Sequence, residues 1–277
     1  MEPPALETFL TTTGPSSHYR SRQNASASKR RKQGKNSVDT SNYVTLSRQA
    51  GLLKELQVLS NNVANTATTG FRAEGVVFAE MVQALPTEGG SVAMSDARVR
   101  FTDMTQGGLT ETGGTYDLAI QGPGFFQIET PEGIRLTRAG AFTPNTENEL
   151  VTFDGHRVLD AGGAPVFVPP DASSIAFAED GTMTADGAPI AQMGVVTVDD
   201  PTKLVREGGI LFNTDEALVP VEGTSILQGY LESANVNPVV EISRLIEVQR
   251  AYEMGQKFLD REDERVRAVI RTLGASR

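Results

Sequence analysis

Apolar side chains recur every three or four residues in two widely separated parts of the chain, near residue 50 and near residue 255. In the first part this spacing predicts a helix from residue 43 to about residue 65. A helix of about 22 residues is about 33 Å long and needs a partner for its apolar face. Its stripe has the a/d spacing of packed helices and runs through Leu46, Gln49, Leu53, Leu56, Ser60 and Val63.

The second pattern predicts a longer helix, from Pro238 to about Leu273. Asn237 precedes Pro238, and an Asn cap followed by proline is a typical helix start. Polar residues within the stripe favour register-specific packing with several partners, although periodicity alone leaves an ordinary intramolecular hairpin open. The stripe runs through Ile242, Leu245, Gln249, Tyr252, Gln256, Leu259, Asp263, Val266, Ile270 and Leu273.

Short apolar runs separated by Gly, Pro, Asn and Asp fill the region between the two helices and predict β-strands. Asp-Gly pairs at residues 154–155, 180–181 and 186–187 are typical hairpin turns. The predicted strands are 118–120, 124–128, 135–137, 165–168, 175–177 and 195–198.

The predicted fold class is therefore α+β, with N- and C-terminal helices pairing as a coiled-coil-like layer and a central, mostly antiparallel β domain. We expect residues 43–70 plus 236–273 to form a terminal helical assembly domain, residues 71–115 an irregular or extended link, and residues 116–235 the β domain. Residues 1–42 are polar, and we expect a disordered tail or an upstream extension from a mis-assigned start.

Charge is distributed unevenly along the chain. Residues 1–42 hold seven Lys/Arg and three Asp/Glu, a balance of +4, whereas the rest hold 18 against 32, a balance of −14. An acidic body argues against a nucleic-acid partner. There is no apolar run long enough to predict a membrane-spanning helix, no recognisable cleaved signal peptide, and no Cys for disulfides, thiol nucleophiles or Cys-ligated metals.

Asparagines cluster at the end of the first predicted helix and before the second. If the helices pack antiparallel, these two clusters become neighbours, and their amides can cap the free backbone groups of both helix ends. Thr68-Thr69-Gly70 then turns the chain towards the β domain. The asparagines are Asn61, Asn62, Asn65, Asn235 and Asn237.

Residue types that carry catalysis are sparse, and for each of them a structural role is favoured over a catalytic one. His156 follows a predicted turn and His18 lies in the N-terminal tail, so a metal site is not indicated. Asp199-Asp200 precedes a proline, where turn chemistry outweighs acid–base work. The glycine clusters fit no phosphate-binding pattern. We therefore expect no enzyme activity, no catalytic or metal-binding residues, no cofactor and no small-molecule substrate.

Three sequence blocks, in order, resemble the bacterial flagellar axial proteins, which comprise rod, hook and hook-junction subunits. They are NNVANTATTGF near the start, YDLAIQGPGFFQI with TRAGAFTPNTENELVTFDGHRVL in the middle, and LESANVNPVVEISRLIEVQRAYEMGQKFL near the end. The similarity spans about residues 43–273. The modest size and short β region resemble those of rod proteins. A proximal rod protein is favoured, with a distal rod protein as the alternative.

The resemblance implies a structural subunit of a hollow helical rod in the basal body, transmitting torque in the periplasm and exported without a cleaved signal peptide. Its expected partners are copies of itself, other rod proteins and the flagellar export apparatus. A secreted β-rich binding module with a private helical stalk is the alternative from another class. The expected assembly interface comprises Leu46, Leu53, Leu56, Asn61, Asn62, Val63, Asn65, Asn235, Asn237, Ile242, Leu245, Gln249, Tyr252, Leu259, Val266 and Ile270.

Overall fold

The computed structural model describes residues 44–84, 91–221 and 223–274, with only the backbone described for residues 78–84 and 91–99. Two helices flank the β region: α1 covers residues 44–64, and α2 covers Pro238–Gly274. Both lie where the apolar periodicity predicts them. The α+β fold class is confirmed, and the expectation about residues 1–42 lies outside the described residues.

Most of the β region consists of short strands joined by turns. The strands are β1 (Glu74–Ala84), β2 (Ser91–Thr102), β3 (Leu109–Glu111), β4 (Leu118–Gln121), β5 (Phe125–Thr130), β6 (Gly133–Thr137), β7 (Phe142–Pro144), β8 (Leu150–Thr152), β9 (Arg157–Val158), β10 (Ile175–Phe177), β11 (Thr182–Ala185), β12 (Ala188–Gln192), β13 (Val195–Thr197), β14 (Val205–Glu207), β15 (Leu211–Asn213), β16 (Val219–Pro220), β17 (Ser225–Gln228) and β18 (Tyr230–Glu232).

All described strand pairs are antiparallel, and the largest sheet has the order β14-β15-β6-β5-β9-β8-β7. β5 is its central strand: it pairs with β6 along one edge, and with β9 and β13 along different halves of the other edge. Smaller sheets consist of β10-β11-β12, β17-β4 and β18-β3, and β1 pairs with β2. The β17-β4 and β18-β3 pairs therefore place the last strands of the β region beside early ones.

The core of the β region has two parts, one on each side of the central strand. Alternate residues of a strand point to opposite faces, so the neighbours Phe125 and Phe126 enter different clusters. Phe126 packs edge-on against Phe142 at 5.3 Å between ring centroids. Phe125 packs against Phe212 at 5.4 Å. The same strand thus anchors both parts of the core.

The three predicted Asp-Gly turns are confirmed. Gly155, Gly181 and Gly187 have positive φ angles between 82° and 84°, and they join β8 to β9, β10 to β11 and β11 to β12. The other predicted strands occur, but residues 165–168 form only isolated bridges. Pro165 is the first residue of this segment and Pro169 follows it, and proline lacks the N–H that a sheet ladder requires.

The segment expected to be an irregular or extended link contains a long hairpin. β1 and β2 pair over their full length, from Glu74 opposite Thr102 to Ala84 opposite Ser91, with one register shift after Val77. Residues 103–108 then follow without regular structure, and β3 begins at Leu109. Among the described residues, no helix combines the length and apolarity needed to cross a membrane.

Candidate assembly interface

The two terminal helices run antiparallel, and polar side chains fix their register. Arg244 on α2 forms an ion pair with Glu55 on α1 at 2.9 Å. One turn from the end of α1, the Nδ2 of Asn62 donates to a carboxylate oxygen of Glu241 at 3.2 Å. Further back along α1, the Nε2 of Gln49 donates to the backbone carbonyl of Tyr252 at 3.2 Å. Lower residue numbers on α1 therefore lie opposite higher residue numbers on α2, as in an antiparallel pair.

A glycine lets the helices approach closely at the Gln49 end of this contact. A Cβ added to Gly255 would lie 1.5 Å from the Nε2 of Gln49. The amide group thus occupies the space that any side chain at this α2 position would need. Since Gln49 is buried and bonded to α2, Gly255 helps set the register of the pair.

Asparagine side chains join the end of α1 to the following chain. Asn62 is buried and makes two hydrogen bonds to one residue: its Nδ2 donates to the Glu74 carbonyl at 2.8 Å, and its Oδ1 accepts from the Glu74 amide at 3.0 Å. Asn65 instead closes the helix end, donating to the Asn61 carbonyl at 2.8 Å. A side-chain amide that bonds both the N–H and the C=O of one residue acts as a substitute strand neighbour.

The second asparagine cluster binds the segments around the hairpin and starts α2. Asn235 accepts from the Ala73 amide at 2.5 Å and donates to the carbonyls of Asp103 and Thr105 at 3.0 and 2.9 Å. The Oδ1 of Asn237 accepts from the Val239 amide at 3.1 Å, which is N-cap geometry. These asparagines therefore stabilise the junction between the two helices and the β region.

Gly70 allows the chain leaving α1 to press against the β region. Its φ angle is +69°, and an added Cβ would lie 2.3 Å from the Ala139 amide nitrogen. Its own amide donates to the Glu232 carbonyl at 2.7 Å. Only glycine fits this combination of positive φ and close backbone approach.

Beyond Gly70 lies a buried ion cluster, formed by Glu232 between two arginines. Glu232 contacts Arg72 at 2.7 Å and Arg138 at 2.8 Å, and the side chains of Glu232 and Arg138 are each 1% exposed. Arg138 also donates to the carbonyls of Gly124 and Ile120, at 2.6 and 3.2 Å. Burial lowers the pKa of Arg72 to about 10 and Glu232 opposes this shift, so Arg72 is charged at neutral pH.

A third arginine ties the same junction to the edge of the large sheet. The guanidinium of Arg206 lies 4.7 Å from the ring centroid of Phe71 and 4.9 Å from that of Phe212. It also contacts Glu74 at 2.9 Å. Phe71 is fully buried, so the chain that links α1 to the hairpin is held by apolar, ionic and cation–π contacts together.

These arginines were not found by sequence reasoning. Arg72 and Glu232 are 160 positions apart in the chain, and no local pattern marks a charged residue for burial. The only sequence hint is that Arg72 and Arg138 stand beside the buried residues Phe71 and Ala139. Asp200, by contrast, has the turn role expected of it: it caps a short 3₁₀ helix, Pro201–Lys203, and its hydrogen bonds to Thr202 lower its pKa.

The predicted stripes face the partner helix only in part. On α2, Leu245, Tyr252 and Leu259 are half-buried, whereas Ile242, Gln249, Val266 and Ile270 are exposed. At every second position of the predicted stripe, the residue one place earlier in sequence is the more buried one. These more buried residues are Glu241, Val248, Gly255 and Glu262. Both stripes have the same spacing, so periodicity could not choose between them.

On α1 the difference between the predicted stripe and the buried face is larger. Leu46 and Leu53 are 54% and 45% exposed, and Leu56 and Val63 are half-buried. The buried residues of α1 are instead Gln49, Gly51, Glu55, Val58, Leu59 and Asn62. Since residues 46 and 53 are about 160–180° from Glu55 at 100° per residue, the leucines lie on the side away from the ion pair with α2.

Two family models match this chain. One, described as "Flagellar hook protein FlgE/F/G D1 domain", matches residues 119–185, and the other, "Flagellar basal body rod FlgEFG protein C-terminal", matches residues 227–272. The first match lies in the β region, and the second begins in β17 and covers most of α2.

Curated relatives match nearly over their whole length. The flagellar basal-body rod protein FlgF of Caulobacter vibrioides is 40% identical over 86% of this chain and 99% of its own length. FlgF of Mesorhizobium japonicum is 38% identical over 84% and 97%. FlgG of Agrobacterium fabrum is 34% identical over 79% and 93%. The chain therefore belongs to the flagellar basal-body rod proteins, and it fits the FlgF members better than the FlgG members.

Proposed function

We propose that this chain is a non-catalytic subunit of the proximal flagellar rod, which assembles with copies of itself and with other rod proteins through its terminal helices. Its family and the names of its relatives support the structural role. In this proposal the chain leaves the cell through the flagellar export apparatus without a cleaved signal peptide. It then joins a hollow helical structure that transmits torque in the periplasm.

The observation that carries the proposal is an apolar helix face without a partner in the described chain. Contacts pair Asn62 with Glu241 and Gln49 with Tyr252, so residue 44 lies opposite roughly residue 258. The last 16 or so residues of α2, about 24 Å, extend beyond the described part of α1. Exposed apolar side chains continue the α1-facing side of α2 there, namely Val266, Val269 and Ile270.

Exposed leucines on α1 supply a second face of the same kind. Leu46 and Leu53 point away from the Glu55–Arg244 ion pair, so they are free to contact another helix. Amphipathic helices gain most of their stability from packing such faces. We infer that the overhanging part of α2 from one subunit packs with the helices of its neighbours, and that this packing lines the rod.

The test is a charge placed on the proposed face. Ile270 is 63% exposed, so Ile270→Asp leaves the fold of the free chain unchanged but puts a charge into the helix–helix contact of the rod. Thr272→Asp is the matched control, because it adds the same charge two residues away, on another side of α2. Leu53→Asp tests the α1 face in the same way.

The readouts are swimming in soft agar and recovery of the chain in isolated basal bodies. The proposal predicts that Ile270→Asp and Leu53→Asp abolish both, while Thr272→Asp keeps both. Circular dichroism of the purified chains checks that the helices and strands are retained. Normal swimming and normal recovery of Ile270→Asp would overturn the proposed use of this face.

A further inference from the structure

A fully exposed aromatic side chain stands at the tip of the β8–β9 hairpin. Phe153 is 97% exposed and is followed by Asp154 and Gly155. The tip is a tight turn, since the Gly155 amide donates to the Thr152 carbonyl at 2.9 Å. Small polar residues are the usual choice in such turns, so Phe153 contributes nothing that the turn needs. Its large apolar surface is available for another molecule.

A half-open cavity of about 290 Å³ lies elsewhere on the β region. Its apolar walls include Met104, Pro123, Phe125, Pro201 and Leu204. An apolar cavity of roughly 150 Å³ is enough to hold benzene, so a phenyl ring fits this space. The cavity is thus a suitable receptor for one aromatic side chain.

The charged groups around the cavity are arginines, which complement the negative charge of Asp154 next to Phe153. The charged residues among its described lining are Arg72 and Arg138, and because both pair with the single carboxylate of Glu232, this cluster keeps a net positive charge. The Nε of Arg72 is buried and has no hydrogen-bond partner. A guanidinium attracts both an aromatic face and a carboxylate, and Phe153-Asp154 presents both.

The tip and the cavity lie at opposite ends of the central strand. Arg157, just after the tip, pairs with Glu129 near the end of β5. The cavity residues Pro123 and Phe125 lie at the start of β5. A six-residue strand spans about 17 to 20 Å, so Phe153 does not reach the cavity of its own chain.

We propose that Phe153 of one copy of this chain inserts into the cavity of the next copy, with Asp154 facing the arginines at its wall. Because the two surfaces differ and lie at opposite ends of the sheet, the contact is head-to-tail, and head-to-tail contacts extend openly when the rotation between copies does not close a ring. A contact of this kind links copies into an open helical array. The contact rests on the rod assembly proposed above and adds a defined β-region interface to the helix packing.

Cysteine cross-linking in assembled basal bodies tests the contact, since the chain has no Cys of its own. The variant carries His156→Cys, three residues after Phe153, and Thr202→Cys, an exposed position next to the cavity residue Pro201, so Asp154 is retained. The matched control moves the first cysteine to Glu147, in the exposed turn between β7 and β8. After oxidation, non-reducing gels resolve cross-linked copies, and reducing gels measure how much chain is present.

The expected result is a ladder of cross-linked copies from the His156→Cys/Thr202→Cys chain and none from the Glu147→Cys/Thr202→Cys chain. Adding Phe153→Ser to the first variant should lower the cross-linked fraction roughly ten-fold or more, as truncating a central interface aromatic does. In otherwise native chains, Asp154→Lys should reduce recovery in basal bodies more than Asp171→Lys, which reverses an exposed charge elsewhere.

Other outcomes overturn the contact. A single dimer band without higher species would mean a closed contact. Cross-links to a different protein would mean another partner, and no cross-link in basal bodies that contain the chain would mean that the tip and cavity do not meet. Absence of the wild-type chain from basal bodies would instead refute the proposed function, so the two failures are distinguishable.

Discussion

Removing the charge of Glu232 should destabilise the β region strongly. Glu232 is buried and accepts contacts from Arg72 at 2.7 Å, Arg138 at 2.8 Å and the Gly107 amide at 3.0 Å. Glu232→Gln keeps the size of the side chain but leaves two buried guanidinium groups without their counter-charge. Breaking a buried ion pair from one side costs about 3–5 kcal/mol, a large part of the roughly 5–15 kcal/mol that stabilises a typical protein.

Urea unfolding of the purified chain, followed by circular dichroism, measures this loss. With a slope of about 2–3 kcal/mol per M, the midpoint should fall by about 1 to 2 M. The control is Glu129→Gln, which breaks a pair with Arg157 at 3.0 Å whose side chains are 43% and 44% exposed. That loss should be about 0–1 kcal/mol. If Glu232→Gln lowers stability no more than Glu129→Gln does, the account of the buried cluster is wrong.

Three further substitutions test the junction between the helices and the β region. Asn62→Ala loses both hydrogen bonds to Glu74 and should lower the free energy of unfolding by about 1–3 kcal/mol, measured in urea; an unchanged midpoint would contradict this. Gly70→Ala should cost about 2 kcal/mol or more, because its φ is +69° and backbone atoms lie 2.3 Å from the new Cβ; a thermal midpoint equal to wild type would refute the close approach. Asn237→Ala removes the α2 cap and should cost about 1 kcal/mol, whereas Asn237→Ser should retain most of it.

Local patterns predicted the elements of this fold well. The Asn237-Pro238 pair marks the start of α2 because capping and proline geometry act within a few residues. The Asp-Gly turns follow from the positive φ that glycine tolerates. The long β1–β2 hairpin was not predicted as regular structure, since its pairing partners lie up to 28 residues apart and the sequence between the strands contains Pro and Gly.

Long-range packing could not be predicted in the same way. Both heptad stripes of α2 have the same spacing, and the choice between Val248 and Gln249 depends on where α1 lies. The assembly role of Leu46 and Leu53 stays a prediction. Within the chain they lie on the side of α1 away from α2, because polar residues such as Gln49 and Glu55 take the buried positions. The arginine cluster depends on contacts of 94 and 160 positions in sequence separation, which a single sequence does not reveal.

The charge pattern also fits a chain that works as part of an assembly. On the last turns of α2, exposed ion pairs such as Arg265–Glu262 and Arg267–Asp263 support the helix locally. Such pairs stabilise an exposed helix by only a few tenths of a kcal/mol each. In the assembly proposed above, a partner helix supplies the remaining stabilisation of the overhanging part of α2.

Hydrogen–deuterium exchange of residues 256–274, compared between the free chain and isolated basal bodies, tests the central claim most directly. The account predicts fast exchange in the free chain and strong protection in the basal bodies, because neighbouring helices then cover Val266, Val269 and Ile270. Residues 125–130 of β5 serve as an internal reference and should be protected in both. Equal exchange of residues 256–274 in the two states would show that no neighbour covers this face, and would contradict the account.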